Sequence, residues 1–152
     1  MNPITEFDTV DKAVIRELQV DGRIPYAKLA PLVGLSEAAT RQRVNRLLSR
    51  GVMEIVAVAD PAMLGLRHQS MVGIHVDEDV RRVADELSKI DSVDYVVITA
   101  GRYDIIAEVF TSDAGEFVSV ANDLIRPIIG IRDLETITYL DLVKQTYNWG
   151  TS

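Results

Sequence analysis

The sequence predicts an α+β fold of two small domains, a winged helix-turn-helix followed by a βαββαβ unit with an antiparallel sheet. Apolar residues recur at helical spacing from residue 10 to residue 50, whereas strand-like and helical patterns alternate from residue 70 to residue 143. The length of 152 residues leaves room for two small domains. Residues 1–60 hold eight basic and eight acidic residues, and residues 61–152 hold eight and fifteen, so the acidity belongs to the C-terminal part.

Three helices are predicted in the N-terminal part. The first spans Val10–Val20, the second begins at a proline and spans Pro25–Val33, and the third begins at Glu37 and ends near residue 50. Only Gly34-Leu35-Ser36 separates the second helix from the third, which predicts a helix-turn-helix. The β-branched run Val52–Ala59 predicts a following strand, which would make the unit a winged helix-turn-helix.

The outward side of the third predicted helix has the composition of a DNA-reading surface. The residues opposite its apolar stripe are small at the start and carry amide or guanidinium groups further along: Ala38, Ala39, Gln42, Arg43, Asn45, Arg46, Ser49 and Arg50. Gln and Arg side chains make paired hydrogen bonds to base edges, and Arg also binds phosphates. Arg41 lies near the boundary of the stripe, where we expect a phosphate contact or a structural residue.

The net charge of −7 argues against nucleic acid as a partner of the chain as a whole. Locally the balance differs, because residues 41–50 contain four arginines and no acid. Most charge runs are only solvated helix faces, which is the alternative interpretation. We favour DNA binding because no acid along the helix is available to pair with the arginines, and because two copies in one particle would bind DNA with raised avidity.

Four strands and two helices are predicted in the C-terminal part. In chain order they are a strand at Ser70–Asp77, a helix at Asp79–Ile90, strands at Tyr95–Ala100 and Ile105–Phe110, a helix at Asp113–Arg126 and a strand at Asp133–Val143. This order is the ferredoxin-like split βαβ arrangement, with both helices on one face of the sheet. Apolar residues nevertheless occupy both faces of the second and the last strand. We therefore expect an obligate homodimer, with the face that lacks helices buried against a second copy.

A charged loop, Gly101-Arg102-Tyr103-Asp104, connects the second and third predicted strands. Glycine and aspartate are common turn residues, so one interpretation is a simple turn. As a binding loop it would offer an arginine for a carboxylate and an aspartate for an ammonium group, which suits an amino acid. The residues alone leave both interpretations open.

Other classes of protein are disfavoured. The longest stretch without a charge has nine residues, which is too short for a membrane span, and the absence of cysteine excludes disulfides and thiolate metal sites. Neither histidine lies in a cluster with ligand spacing, and there is no phosphate loop or nucleophilic triad. We expect a non-enzymatic protein without cofactor, metal or membrane contact, and, from an N-terminus without a secretory signal, a cytoplasmic one.

Several motifs together resemble one family. The runs Asp11 to Leu18, Asp21-Gly22-Arg23-Ile24 and Val33-Gly34-Leu35-Ser36, followed by Thr99-Ala100-Gly101-Arg102-Tyr103-Asp104, closely resemble the Lrp/AsnC (feast/famine) transcriptional regulators over about residues 8 to 143. The resemblance implies a DNA-binding regulator whose dimers assemble further, with a small effector, usually an amino acid, at the contact between dimers. For DNA it implies the face of the third helix, with Ser36, Ala38, Ala39, Arg41, Gln42, Arg43 and Arg46. Gly101, Tyr103 and Asp104 match the effector loop of the family. We predict Thr99, Ala100, Arg102, Thr136 and Thr138 as further effector-binding residues.

These observations predict a helix-turn-helix domain at 1–52, a linking strand and hinge at 53–66, and an effector-binding and oligomerisation domain at 67–152. The predicted partners are double-stranded DNA, further copies of the chain up to a tetramer or octamer, and a small effector of amino-acid type. The predicted function is sequence-specific transcriptional regulation in response to that effector. Two alternatives remain: an effector-independent chromosome-organising protein, and a metabolite-binding module without a DNA role.

Overall fold

The computed structural model describes residues 8–147. Within this part the chain forms two compact units, one made of residues 8–58 with residues 144–147 and the other of residues 59–143. The division between the units falls within the segment 53–66 that the sequence predicts as a linker. None of the helices in the described part is long and apolar enough to cross a membrane.

The N-terminal unit contains the three predicted helices. They are α1 at Thr9–Val20, α2 at Tyr26–Leu32 and α3 at Glu37–Ser49. The side chain of Asp8 accepts a hydrogen bond from the first turn of α1, and Ser36 Oγ accepts one from the first turn of α3. These caps satisfy amides that have no partner inside their own helix. The helix-turn-helix prediction is confirmed.

Apolar residues from all three helices form the core of this unit. Val14 of α1, Leu29 of α2, and Val44 and Leu47 of α3 are fully buried. With Leu18 and Val33, which are also buried, they form pairs that lie three or four residues apart, so each helix turns one apolar stripe inward. Gly34 follows α2 with a positive φ of 71°, a conformation that glycine adopts without a steric penalty. The short turn between α2 and α3 depends on that freedom.

The predicted strand Val52–Ala59 is wrong for the described residues. Residues 53–60 follow no helix or strand pattern, and no backbone hydrogen bond within the described part involves residues 53–59. Ile55, Val56 and Val58 remain exposed. β-branched residues favour an extended backbone, but a strand also requires a neighbour to form a ladder. The helix-turn-helix therefore has no wing strand in the described chain.

The C-terminal unit is a four-stranded antiparallel sheet with helices on one face. Its elements are a 3₁₀ turn at Pro61–Leu64, β1 at His68–Val76, α4 at Val80–Leu87, β2 at Val93–Ile98, β3 at Ile105–Thr111, α5 at Ala114–Ser119 continuing as a π-helix at Val120–Ile125, and β4 at Ile131–Thr138. The strand order is β2-β3-β1-β4. The predicted βαββαβ order and antiparallel sheet are confirmed.

The observed bounds in this unit lie within three residues of the predicted ones except at the end of the last strand, and one helix differs in type. The sequence predicts that the last strand reaches Val143, but β4 ends at Thr138. Thr138 pairs with Ser70, only two residues after the start of β1, so the partner strand leaves little room for a longer ladder. The sequence predicts one continuous α-helix at Asp113–Arg126, but α5 changes to π-helical hydrogen bonding after residue 119. There the N–H of Arg126 donates to the carbonyl of Ala121, five residues earlier.

The two faces of the sheet differ in their covering. The face beneath the helices forms the core, with Val72, Ile74, Ile105, Ala107 and Val109 buried against Val83, Leu87, Phe117 and Ile125. The open face carries apolar and aromatic side chains without a helix over them: Met71, Tyr95, Val97, Ile106, Phe110, Ile137 and Tyr139. The prediction of apolar residues on both faces is confirmed. In water, such an open face favours a covering partner.

Candidate functional site

The outward surface of α3 brings the predicted DNA-binding residues together on one helix. Its exposed members are Ser36, Ala38, Arg41, Gln42, Asn45, Arg46, Ser49 and Arg50, and Ala39 and Arg43 are half-buried. The small residues stand at the start of the helix, where a groove could approach closely. The amide groups of Gln42 and Asn45 form no hydrogen bond in the described structure, so their donors and acceptors are free for another molecule.

Arg43 and Arg46 are paired with acids at the start of α1, the capping residue Asp8 and Asp11, which corrects the expectation that they have no acid to pair with. Arg43 Nη1 lies 2.6 Å from Asp8 Oδ2 and 2.8 Å from Asp11 Oδ1. Arg46 Nη2 lies 2.7 Å from Asp11 Oδ1 and 3.0 Å from Asp11 Oδ2. Within α3, neither Arg43 nor Arg46 is paired with an acid. Their partners lie 32 to 35 positions earlier and meet α3 only through packing of the start of α1 against it.

Arg41 is held at the surface by two contacts. Its Nη2 lies 3.3 Å from Glu37 Oε1, one helical turn earlier, and its guanidinium carbon lies 5.2 Å from the centroid of the Tyr26 ring. The side chain remains mostly exposed. These contacts orient the guanidinium of Arg41 at the edge of the α3 surface and leave some of its N–H donors facing solvent.

The ion pair at the start of α1 predicts a pH effect. The Arg43 guanidinium, with help from the N–H of Asp11, lowers the pKa of Asp8 below its ordinary value of 3.8. A carboxyl whose pKa is lowered by folding stabilises the fold above its unfolded pKa, and that contribution is lost as the pH falls through the folded pKa. We expect Arg43→Gln to raise the pKa of Asp8, measured by NMR titration of the side-chain carboxyl carbon. An unchanged pKa in that variant would contradict the pairing.

The charged loop is tied to β1 by several hydrogen bonds. Thr99 Oγ1 donates to the carbonyl of Tyr103 at 2.6 Å, and the N–H of Thr99 donates to the carbonyl of Asp104 at 2.9 Å. The N–H of Asp104 donates to the carbonyl of Ile74, and Asp104 Oδ2 accepts the N–H of Val76 at 2.9 Å. The loop is therefore an ordered platform against β1, and one oxygen of Asp104 is already occupied.

The aromatic ring of Tyr103 lies directly over Gly73 in β1. A Cβ at position 73 would lie 2.6 Å from three ring carbons, so only glycine leaves room for the ring. A hydrogen bond to Glu135 raises the pKa of Tyr103. Arg102 Nη2 lies 2.7 Å from Glu135 Oε2, and the His75 ring centroid lies 5.4 Å from that of Tyr103. The charged loop, β1 and β4 therefore meet on the open face of the sheet, where Arg102, Tyr103, Asp104 and Glu135 form the loop cluster.

Thr136 and Thr138 lie on the opposite face from this cluster. Thr136 pairs with the core residue Val72, and Thr138 pairs with Ser70, whose Oγ lies 3.3 Å from Thr138 Oγ1. The structure therefore brings the loop together with Glu135, which the sequence reasoning missed, and not with the two threonines. Side chains alternate along a strand, so neighbours point to opposite faces, and the register of β4 was the missing signal.

The loop residues Ala100 and Gly101 are exposed. Within residues 8–147, no three His, Asp or Glu side chains come together as a metal-ligand set. What the loop cluster offers chemically is a cation, two carboxylates and an aromatic ring, a combination suited to a small zwitterion.

Two family models match this chain. Residues 7–48 match the AsnC-type helix-turn-helix domain, and residues 66–152 match a C-terminal dimeric alpha+beta barrel domain of AsnC-type regulators. An uncharacterised HTH-type transcriptional regulator of Pyrococcus abyssi is 33% identical over 147 residues, which cover 95% of this chain and 90% of the relative.

Solved structures share the fold. A transcriptional regulator of Neisseria meningitidis, solved as a complex with L-Met, has a TM-score of 0.86 at 22% identity and covers 95% of this chain and 97% of that one. The AsnC protein of E. coli has a TM-score of 0.84 at 23% identity, covering 93% and 97%. Because the two family models and the P. abyssi relative span both units, the chain belongs to the Lrp/AsnC family of non-enzymatic, DNA-binding transcriptional regulators with a dimeric C-terminal domain.

Proposed function

We propose that this chain is a sequence-specific regulator whose operator binding responds to an amino acid held at the charged loop. The outward surface of α3 is the observation that supports sequence-specific DNA binding. It combines small residues, unpaired amides and arginines held in defined positions. That combination allows close approach to a groove, base reading and phosphate contact by one helix.

Within this surface we assign base reading to Gln42 first. Its amide is exposed and free, and a glutamine amide can make two hydrogen bonds to an adenine edge. Ser36, Ala38 and Ala39 line the start of the helix as its close-approach end. Arg41, Arg43 and Arg46 supply guanidinium groups for phosphates or guanine edges, the last two through the donors that their acid partners leave free.

The substitution Gln42→Ala tests this assignment. On a preferred duplex, obtained by selection from random DNA, we expect a loss of about 1–3 kcal/mol of binding free energy, because paired hydrogen bonds to one base are removed. On a random duplex the affinity should hardly change, because no base is read there. Binding curves by fluorescence anisotropy measure both.

Asn122→Ala, which removes an exposed amide of the C-terminal unit, is the matched control and should leave both affinities unchanged. Equal losses on both duplexes would contradict base reading by Gln42. A wild-type chain with no preference among duplexes and a steep salt dependence would instead indicate a chromosome-organising protein.

The effector half of the proposal follows from the charges at the loop. An amino acid could place its carboxylate on Arg102 and its ammonium group on Glu135 or Asp104, with Tyr103 beside its side chain. In the apo arrangement Arg102 and Glu135 pair with each other at an exposed site, so a zwitterion would exchange one surface ion pair for two. The L-Met complex of the N. meningitidis regulator, which shares this fold, supports the choice of ligand class.

The proposed response works through assembly. The apolar open face of the sheet would be covered in a homodimer, in line with the dimeric domain family, and dimers would associate further into tetramers or octamers. An effector bound at the charged loop changes DNA binding only by differing in affinity for two assemblies. The spacing of the α3 helices in the particle would then depend on the ligand.

A panel of the common amino acids tests the effector class. We expect at least one of them to shift both the particle mass and the DNA-binding curve, measured by light scattering and anisotropy. Arg102→Gln should weaken the binding of that amino acid by about 1.5–3 kcal/mol, the usual contribution of a hydrogen bond to a charged group. If neither curve moves with any amino acid, the proposed effector class is refuted.

A further inference from the structure

The carboxylate of Asp11 is an unusual group in the N-terminal unit. Asp11 is the one charged residue among residues 8–147 that is buried, with 4% of its surface exposed. A buried charge is expensive unless it is paired and hydrogen-bonded. Here Asp11 receives hydrogen bonds from two guanidinium groups of another helix, Arg43 at 2.8 Å and Arg46 at 2.7 and 3.0 Å.

Both arginines belong to the surface that we propose reads DNA. A guanidinium has five N–H donors, and Asp11 occupies only part of them. The side chain of Arg46 keeps 46% of its surface exposed while one nitrogen is held by the carboxylate, so donors remain for a ligand. Arg43 is held more tightly, because Asp8 takes its second contact at 2.6 Å.

This arrangement has two physical consequences for DNA binding. A free arginine side chain loses much rotamer entropy when it is fixed on a ligand, whereas a side chain already fixed by its own protein loses little. The carboxylate also cancels part of the positive charge, which weakens the sequence-independent attraction to phosphates. Both effects favour correct base sequences over random ones, the first by strengthening specific contacts and the second by weakening non-specific ones.

We infer that Asp11 is a positioning residue of the DNA-reading surface, which orients Arg43 and Arg46 from behind and thereby raises the ratio of specific to non-specific affinity. Asp11 itself touches no DNA in this scheme, because it is buried. The inference rests on the proposed reading role of α3, but it assigns to a residue of α1 a part of the specificity.

The test compares Asp11→Asn with Glu54→Gln in the full-length chain. Both changes remove one negative charge from the N-terminal unit, but Glu54 is exposed and makes no hydrogen bond or ion pair in the described structure. Affinities are measured for a duplex selected by the wild-type protein and for a random duplex, each over a series of salt concentrations. For Asp11→Asn we expect the specific-to-random ratio to fall at least about tenfold.

The salt dependence separates positioning from mere support of the fold. A released arginine should add about one phosphate contact on random DNA, which steepens the slope of log K against log salt by about 0.9. Glu54→Gln should leave both the ratio and the slope unchanged. A parallel loss of both affinities in Asp11→Asn, or an unchanged ratio, overturns the inference.

A second variant covers the case in which Asp11→Asn does not fold, as judged by circular dichroism. Asp11→Glu keeps the charge but displaces the carboxylate by one methylene, so the arginines shift while the ion pairs survive. A reduced ratio in Asp11→Glu supports the inference, and a wild-type ratio overturns it. If the wild-type protein binds all duplexes equally, the proposed function itself is refuted. If the wild-type protein and the Asp11 variant both prefer the selected duplex to the same degree, only the positioning role of Asp11 is refuted.

Discussion

Replacing Asp11 by alanine is expected to lower the free energy of unfolding of the N-terminal unit by about 3 kcal/mol. The carboxylate is buried and accepts hydrogen bonds from two arginines, so its removal leaves guanidinium donors partly buried without a partner. We place the effect at the lower end of the range for broken buried ion pairs, because Arg46 is nearly half exposed and gains water instead.

Native-state amide hydrogen exchange measures this change within the unit concerned. The amides of α1 and α3 should lose protection together in Asp11→Ala, while those of the sheet keep it. Glu37→Ala is the matched control, because its pair with Arg41 is exposed and contributes less than about 1 kcal/mol. Comparable losses in the two variants would contradict a structural role of the buried carboxylate.

Replacing Gly73 by alanine is expected to expel the Tyr103 ring from the loop cluster. The new Cβ would lie 2.6 Å from the ring, well inside contact distance, and the ring has to move because the strand backbone is held on both sides. We expect a destabilisation of about 1–3 kcal/mol, typical of overpacking. The pKa of Tyr103 should fall towards its ordinary value of 10.0, because its hydrogen bond to Glu135 is lost.

A double-mutant cycle isolates this contact. In a Tyr103→Ala background, Gly73→Ala should have almost no further effect on stability, because the atoms that it would strike are gone. Gly101→Ala is the control, since a Cβ there meets nothing within 4 Å and its backbone needs no positive φ. Urea unfolding and ultraviolet titration of the tyrosines provide the measurements. Additive effects of the two substitutions would show that ring and glycine do not interact.

Much of the fold was predictable because its signals are local. The apolar stripes of α1, α2 and α3 recur at helical spacing, and a cap or a glycine marks their ends, so the helix-turn-helix follows from neighbouring residues alone. The alternation in β1 to β4 likewise predicts which residues share a face once the strands are aligned. The prediction of a strand at Val52–Ala59 is wrong, because a strand needs a second strand to pair with, and local sequence does not show whether one is present.

The candidate sites also contain some features that follow from local sequence and others that depend on the whole fold. Local sequence is enough to predict that α3 turns small, amide and guanidinium groups outward, because a helix distributes its residues around one axis. Only the packing of the folded chain brings Asp8 and Asp11 to the arginines, and Glu135, rather than Thr136, to the loop. Those contacts join residues 32 to 35 positions apart in the sequence. Helix packing and strand register bring the residues together, and both depend on the whole fold and not on any local pattern.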